Sequence, residues 1–561
     1  MTDLSELLRR LPDDPQAGAR DDQLEIELVF GEPVPAEALQ RAAAEATPGD
    51  AVQIRTAFGG EADRFLFAAY PAKRLEGAEP EGFEFARALR EALGAEEANL
   101  VHRDSLYGGV AAVDAQALAP DLPLALSGFC DSGDNWSYVK GWAHSPIATR
   151  EAWRASKGAG VRIGQIDTGY TDHRELADVY DLAAQANYVE HDGDARDRLS
   201  TDVFWPNPGH GTLVASLIAS RGGLTTRFDT LAPGVVTGVA PEAKVTPIRA
   251  FRSVVDLRQS RLPAAIAHAT AAGCEVLVMC VGGISRVASV EQAMRDAVHA
   301  GCVVVCAAGN CWPFVTFPAA YSRDRLSVAV AALTYDLTPW RFTARGGAVT
   351  LSAPGEDVWG ATVRGPEGDA WPSVTAVKPS QGTTVATSLT AGVAALWVAR
   401  HGGGEALRQR AAQANLTVQE LFLRAVVHDI APPAVWNGAR DLGAGVLNAE
   451  RTLAAPLPAA ALKFEHPPAA RAGSTLQILR QQAEQMDEAA RAEIDEDLRH
   501  FAGEILWLRY QQGARDRAYA TLRERPEALA GIRAAPPLSP GLAGKLASRP
   551  RLRATLTAPA A

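Results

Sequence analysis

No segment of the 561-residue chain reaches the roughly 18 uninterrupted apolar residues that a membrane-spanning helix needs. The amino-terminal stretch MTDLSELLRRLPDDPQAGARDD also lacks the apolar run of about 7–15 residues of a secretory leader. These gaps give the expectation of a cytoplasmic protein with no membrane partner. Cysteine is sparse, six residues with no CxxC spacing, which argues against a zinc site. Cys274, Cys280, Cys302, Cys306 and Cys311 lie in or beside apolar runs and Cys130 in a loop, as expected of reduced, mostly buried thiols. There is no basic stripe and no internal repeat. The 55 Lys and Arg are interspersed with 66 Asp and Glu, and a net charge of −11 argues against a nucleic-acid partner.

What is present is ample core material, with 47% hydrophobic residues spread over a length that suits two to four domains. Residues 1–22 read as a polar tail. From Leu24–Phe30 (LEIELVF) onward the pattern is strand, helix (Ala36–Ala46), strand (Ala51–Phe58), strand (Arg64–Ala69), helix (Phe83–Leu93) and strand (Ala98–His102). That βαββαβ order over 23–105 predicts a ferredoxin-like α+β domain, a scaffold that by itself implies no function. Residues 106–145, rich in Gly, Pro, Asp and Ser, read as a connector. From 146 to 455, short β-branched runs (Val161–Ile166, Lys244–Ile248, Val276–Val281, Val303–Ala307, Leu326–Ala331) alternate with helical patterns such as Leu262–Ala271, Val290–His299 and Thr384–Arg400. Unbroken apolar strands alternating with helices predict an α/β domain, a parallel sheet covered on both faces. Residues 456–561 carry Pro/Ala linkers around a charged helical stretch, Ser474–Arg525, expected to be a helical hairpin that serves packing or assembly.

An open parallel sheet places its site at the carboxyl ends of its strands, and four polar groups fall there. Asp167 follows the run VRIGQI in the sequence Asp-Thr-Gly, a weak signal alone because an aspartate at a strand end is often just a turn former or helix cap. His210, flanked by Gly209 and Gly211, opens an apolar helix. Asn310 follows VVVCA, and its amide could donate into a cleft as an oxyanion stabiliser does. Thr384 stands in QGTTVATSLTAG, at the start of an Ala/Gly-rich helix whose dipole favours developing negative charge.

In this order the residues resemble the subtilisin-like serine proteases, the subtilase family, over about 300 positions. Asp167-Thr168-Gly169 and His210-Gly211-Thr212 match its aspartate and histidine motifs, Ala308-Gly309-Asn310 its oxyanion motif, and Gly238–Pro241, Phe317–Ala319, Ala353–Gly355 and Gly443–Ala449 further elements. The resemblance implies a subtilisin-like catalytic domain acting on protein or peptide substrates. His210 would be general base and then acid, Asp167 would orient it, and Asn310 and the backbone amide of residue 384 would form the oxyanion hole. It also implies that the amino-terminal domain is propeptide-like and packs on the catalytic domain. The long connector departs from a minimal propeptide junction and leaves room for a permanent domain. Val281, Gly282, Gly283 and Gly309 are the expected substrate-binding residues, with the Gly282-Gly283 edge free to pair an extended peptide. No cofactor is implied; calcium is common in the family, but no cluster of acids marks a site.

The nucleophile segment departs from the family at two positions. Thr384 replaces the serine and Ser388 the proline of Gly-Thr-Ser-x-Ala-Thr-Pro. Ser388 is about 6 Å further along the helix, beyond hydrogen-bond reach of a fixed His210. Thr384 retains the hydroxyl and adds a methyl that stiffens χ1. Three readings remain open here: a slow or specialised peptidase using Thr384, a pseudoprotease acting as a peptide-binding or regulatory module, and a serine enzyme whose nucleophile has been replaced. The loop Cys311–Phe314 is short and bulky where the family builds a specificity pocket, which suggests small or apolar side chains in the substrate.

Overall fold

The computed structural model describes residues 3–13, 24–59, 64–71, 73, 75, 78–101, 141–199, 207–222, 236–252, 259–283, 285–310, 314–364, 374–458, 474–483, 486–522 and 537–558. Most of the expected connector, Cys130 and residues 311–313 of the loop after Asn310 lie outside the described residues.

Within the expected tail, Leu4–Arg10 is a helix (α1), capped by Asp3, whose carboxylate accepts from the Ser5 and Glu6 amides. Its leucines 4, 7 and 8, with Leu11, are buried in a core shared with the next domain. The tail reading fails for this stretch because LSELLRRL places apolar residues at i, i+3, i+4 and i+7, a helical face that needs a partner.

The domain that follows has strands β1 (Leu24–Val29), β2 (Gln53–Thr56), β3 (Phe65–Tyr70) and β4 (Glu97–Leu100), with helices α2 (Ala36–Ala46) and α3 (Glu79–Leu93). The strands pair antiparallel in the order β2-β3-β1-β4, the ferredoxin-like arrangement. Strand residues alternate between faces, so Leu24, Ile26 and Leu28 enter the domain's own core while Glu25 and Glu27 face away. Those glutamates would meet water in an isolated domain, yet they are 5% and 0% exposed. A buried carboxylate must be paired or hydrogen-bonded, and the larger domain supplies partners to both.

That larger domain is built on β5 (Arg162–Asp167), β6 (Ala186–Asn187), β7 (Lys244–Arg249), β8 (Val276–Met279), β9 (Val303–Ala307), β10 (Val328–Leu333) and β11 (Leu351–Pro354). They form one parallel sheet in the order β11-β10-β9-β8-β5-β7-β6. Alternate residues serve two cores. Val276 and Val278 pack with helices α4 (His210–Ala219) and α7 (Thr383–Arg400), whereas Leu277 and Met279 pack with α5 (Leu262–Ala271) and α6 (Ala288–His299). Small residues let α7 run through the interior, buried from Thr383 to Val398.

The glutamates of β1 end on the α5–α6 face. Glu27 caps α6, accepting from the backbone amides of Ala288 (2.8 Å) and Ser289 (2.7 Å) and the hydroxyl of Ser289 (2.6 Å), and it also accepts from the side-chain amide of Asn99 (2.8 Å). Glu25 accepts from the Ser260 hydroxyl at 2.7 Å and pairs with Arg55 at 3.0 Å.

The carboxy-terminal region is several helices rather than one hairpin. Thr475–Gln482 (α8), Glu488–Ala492, Ala502–Leu522 (α9), Pro540–Leu546 and Pro550–Leu556 follow one another. Ser474, Asp487 and Asp495 each accept an amide at the start of a new turn, and these side-chain caps divide the charged stretch. The helices bury leucines against the amino-terminal domain, and Glu504, 1% exposed, accepts from Arg87 (2.8 Å) and Ser539 (2.8 Å). Glu97, Arg286 and Thr475 join all three parts: Arg286 donates to Glu97 at 3.1 Å and to the Thr475 hydroxyl at 3.3 Å. Among the described residues no helix is long and apolar enough to cross a membrane.

Candidate active site

Asp167 is the last residue of β5, and the chain turns away at Gly169 with φ 110°, a backbone region that favours glycine. His210 opens α4. The two segments touch through glycine. A Cβ at Gly211 would lie 2.0 Å from the Gly169 carbonyl oxygen, so no larger residue could follow His210 in this packing. The result is a hydrogen bond of 2.7 Å between His210 Nδ1 and Asp167 Oδ1, both side chains buried. Nδ1–H donating to the carboxylate leaves Nε2 to accept, and Nε2 is 3.3 Å from the Thr384 Oγ1.

Thr384 is the second residue of α7, reached through the hairpin β12 (Val358–Arg364) and β13 (Val374–Ser380). Gly382, at φ 128°, lets the chain enter beside Asn310, whose Nδ2 would lie 2.9 Å from a Cβ there. Thr383 fixes the asparagine. Its backbone amide (2.9 Å) and hydroxyl (2.8 Å) both donate to Asn310 Oδ1, while the hydroxyl accepts from the Gly309 amide at 3.2 Å. With Oδ1 occupied twice, the Nδ2 amide has no partner among the described residues. The Thr384 amide, in the first turn of α7, is likewise unpaired among them. Two donors therefore lie beside the hydroxyl.

Ser388 takes no part. It is fully buried and its hydroxyl donates to the Thr384 carbonyl at 2.8 Å, one turn back. Cys280, beneath the site, approaches the same carbonyl at 3.7 Å, and burial pushes its thiol well above the ordinary range. Gly309, Asn310 and the 280–283 strand end sit together, but the expected pairing edge is shortened. Gly283 exchanges two backbone hydrogen bonds of 2.8 Å with Phe317, so its groups cannot also pair a substrate. Val281 and Gly282 carry no backbone hydrogen bond to the described residues.

Sequence reasoning passed over a support layer. Thr168 donates to Asp197 at 2.7 Å and accepts from the Gly211 amide at 3.2 Å. Asp197 also accepts from the amides of Gly209 (2.9 Å) and Leu199 (2.8 Å). Burial raises the Asp197 carboxyl above its usual range, opposed by those bonds and by Arg249, 3.7 Å away. Arg249, wholly buried, also donates to the Thr168 carbonyl at 2.5 Å. Thr168 was visible as the middle of Asp-Thr-Gly; nothing local marks Asp197. Among the described residues no group of three or more His, Cys, Asp or Glu is placed to hold a metal ion.

Comparison with known proteins fits this arrangement. The profile of the subtilase family matches residues 158–441. Over 271 residues the chain is 27% identical to thermitase of Thermoactinomyces vulgaris, spanning 48% of this chain and 85% of that protein. It is 30% identical over 251 residues to subtilisin DY of Bacillus licheniformis, spanning 44% and 79%. The fold is also that of fervidolysin from Fervidobacterium pennivorans, a keratinolytic enzyme related to subtilisin, with a TM-score of 0.51 and 19% identity over 81% of this chain and 65% of that one. An Asp-Thr-Gly strand end, a His-Gly-Thr helix start and a Gly-Thr-Thr helix entry on one parallel sheet, with these matches, mean that the chain belongs to the subtilase family of serine-type peptidases.

Proposed function

We propose that the protein is an endopeptidase in which Thr384 is the nucleophile. The observation that carries this reading is the continuous line Asp167–His210–Thr384, with hydrogen bonds of 2.7 and 3.3 Å, beside two unpaired donors. His210 Nε2 takes the Thr384 proton as Oγ1 attacks the substrate carbonyl. Asp167 stabilises the imidazolium, and the Asn310 Nδ2 and Thr384 amides hold the oxyanion. His210 then returns the proton to the leaving amine, and water repeats the sequence on the acyl-enzyme. Asp197 holds Thr168 and Gly209, and through them the two loops that carry Asp167 and His210. Val281 and Gly282 offer the free backbone for an extended peptide, with Gly309 lining the cleft, while Gly283 is committed to the scaffold. The ferredoxin-like domain, seated on α5 and α6, acts as a propeptide-like folding partner, and the four buried free thiols support a cytoplasmic setting.

A second reading, a peptide-binding module without turnover, draws on one feature. The Thr384 methyl shares a nearly closed site, with the residue 8% exposed, and about 1 Å of misplacement can cost ~10²-fold in rate. One comparison separates them: hydrolysis of an unstructured protein by the parent, His210→Ala and Thr384→Ser chains. Cleavage by the parent that vanishes in His210→Ala supports the peptidase. A silent parent with an active Thr384→Ser chain supports the binding module, and silence from all three defeats the enzymatic reading.

A further inference from the structure

A cavity of about 330 Å³ lies between the subtilase domain and the carboxy-terminal helices, away from the candidate active site. Three guanidiniums line it, from Arg323, Arg345 and Arg509, against one carboxylate, Asp487. Asp487 is already used, since its Oδ2 accepts from the Ala490 amide as a helix cap. Arg323 donates to the Gln481 carbonyl at 3.1 Å, and Gly347 lets it lie close, for a Cβ there would be 3.1 Å from its Nη2. Arg345 is 3.9 Å from Asp441, a contact at which both side chains stay about two-fifths exposed. Arg509 is the unusual group. It donates to the Gln482 carbonyl at 2.7 Å and has no ion-pair partner among the described residues. Burial without a carboxylate draws it down to about 10. A largely desolvated cation without a counter-charge is costly unless something supplies one.

Both walls run to the oxyanion asparagine. Phe314 and Val315 lead from it, and the next residue, Thr316, bonds to the Ala308 carbonyl at 2.9 Å. Arg345–Ala348 follow Ala344, whose amide donates to the Gly309 carbonyl at 2.8 Å, and Thr343, which bridges Asn310.

We propose that this cavity binds a small polyanion bearing carboxylate or phosphate groups, held by the forks of Arg323, Arg345 and Arg509, and that its occupancy fastens the carboxy-terminal helices to the loops flanking Asn310. Planar guanidiniums suit either oxyanion, and the volume is at the lower end for small-molecule sites. The test is calorimetric titration and thermal unfolding of the full chain with citrate and, separately, inorganic pyrophosphate, against sodium chloride of matched ionic strength. Saturable binding of at least one anion, with half-saturation at or below about 1 mM, is expected. The better of the two identifies the carboxylate or phosphate class. Arg509→Gln should weaken binding at least tenfold while leaving the unliganded melting temperature unchanged or higher, which a purely structural arginine would not do. Arg345→Gln, at the open rim, should weaken it severalfold and serves if Arg509→Gln does not fold. No saturable binding beyond the salt control, or affinity unchanged in both variants, overturns the proposal. Neither readout depends on whether Thr384 cuts peptides.

Discussion

Replacing Glu27 by Gln removes a charge from a place where four donors converge. The carboxylate accepts from two first-turn amides of α6, the Ser289 hydroxyl and the Asn99 amide, all within 2.6–2.8 Å and with no exposure to solvent. A glutamine keeps one acceptor oxygen and turns its NH2 towards groups that also donate. At least one buried amide of α6 then loses its partner, at about 1–3 kcal/mol. Loss of the negative charge at a helix start adds about 0.5–1 kcal/mol, and the total is about 3 kcal/mol. The assay is amide hydrogen exchange on the whole chain, read at Ala288 and Ser289. Their protection should fall by about two orders of magnitude, the ratio that 3 kcal/mol implies, while amides of β8 and β9 change much less. Glu27→Asp, one methylene shorter, should fall between. Protection within about threefold of the parent would refute the claim that this carboxylate ties the amino-terminal domain to α6.

Asp197→Ala strips the acceptor from Thr168, Gly209 and Leu199; kcat of any peptidase activity, per folded molecule, should fall at least about tenfold with KM little changed, and a kcat within about twofold of the parent would refute the supporting role. Ser388→Ala should leave the rate within about twofold, because its hydroxyl bonds the Thr384 carbonyl; abolished turnover would make Ser388 the nucleophile after all. His144 is buried neutral, with Nε2 donating to the Thr237 carbonyl at 2.9 Å, and burial lowers it to about 4. The unfolded chain therefore takes up a proton that the folded chain refuses between about pH 6.5 and 4, and stability should fall across that window as the pH falls. Denaturant midpoints of the parent and His144→Gln, measured at pH 7 and 5, should show a smaller acid loss in the variant; parallel losses would exclude the assignment.

The parts legible in the sequence are those whose cause is local. Asp167, His210, Asn310 and Thr384 each sit in a three-residue signature that carries a glycine the local backbone requires, and the parallel sheet shows as unbroken apolar runs. The α1 leucines are equally legible by spacing, but the polar residues around them mask the pattern. Asp197 was not legible: its three clients are 2, 12 and 29 residues away, and no periodicity links them. Gly283 looked free because the residue that occupies its backbone, Phe317, lies on another loop. The attachment of the carboxy-terminal helices was hidden for the same reason, since their contacts, such as Thr475 with Glu97, join opposite ends of the chain.

The Arg87–Glu504 contact spans 417 residues. A ribosome delivers the ferredoxin-like domain before the subtilase domain and the clasping helices after it, so while the subtilase domain is being made the ferredoxin-like domain has only its inner face, on α5 and α6, to hold. The helices made after the subtilase domain close the second face, and Arg286, between Glu97 and Thr475, is where the two closures meet. Severing the link between residues 101 and 141 would thus break one covalent path and leave two non-covalent ones. A chain lacking these clasping helices should be the one that sheds its ferredoxin-like domain.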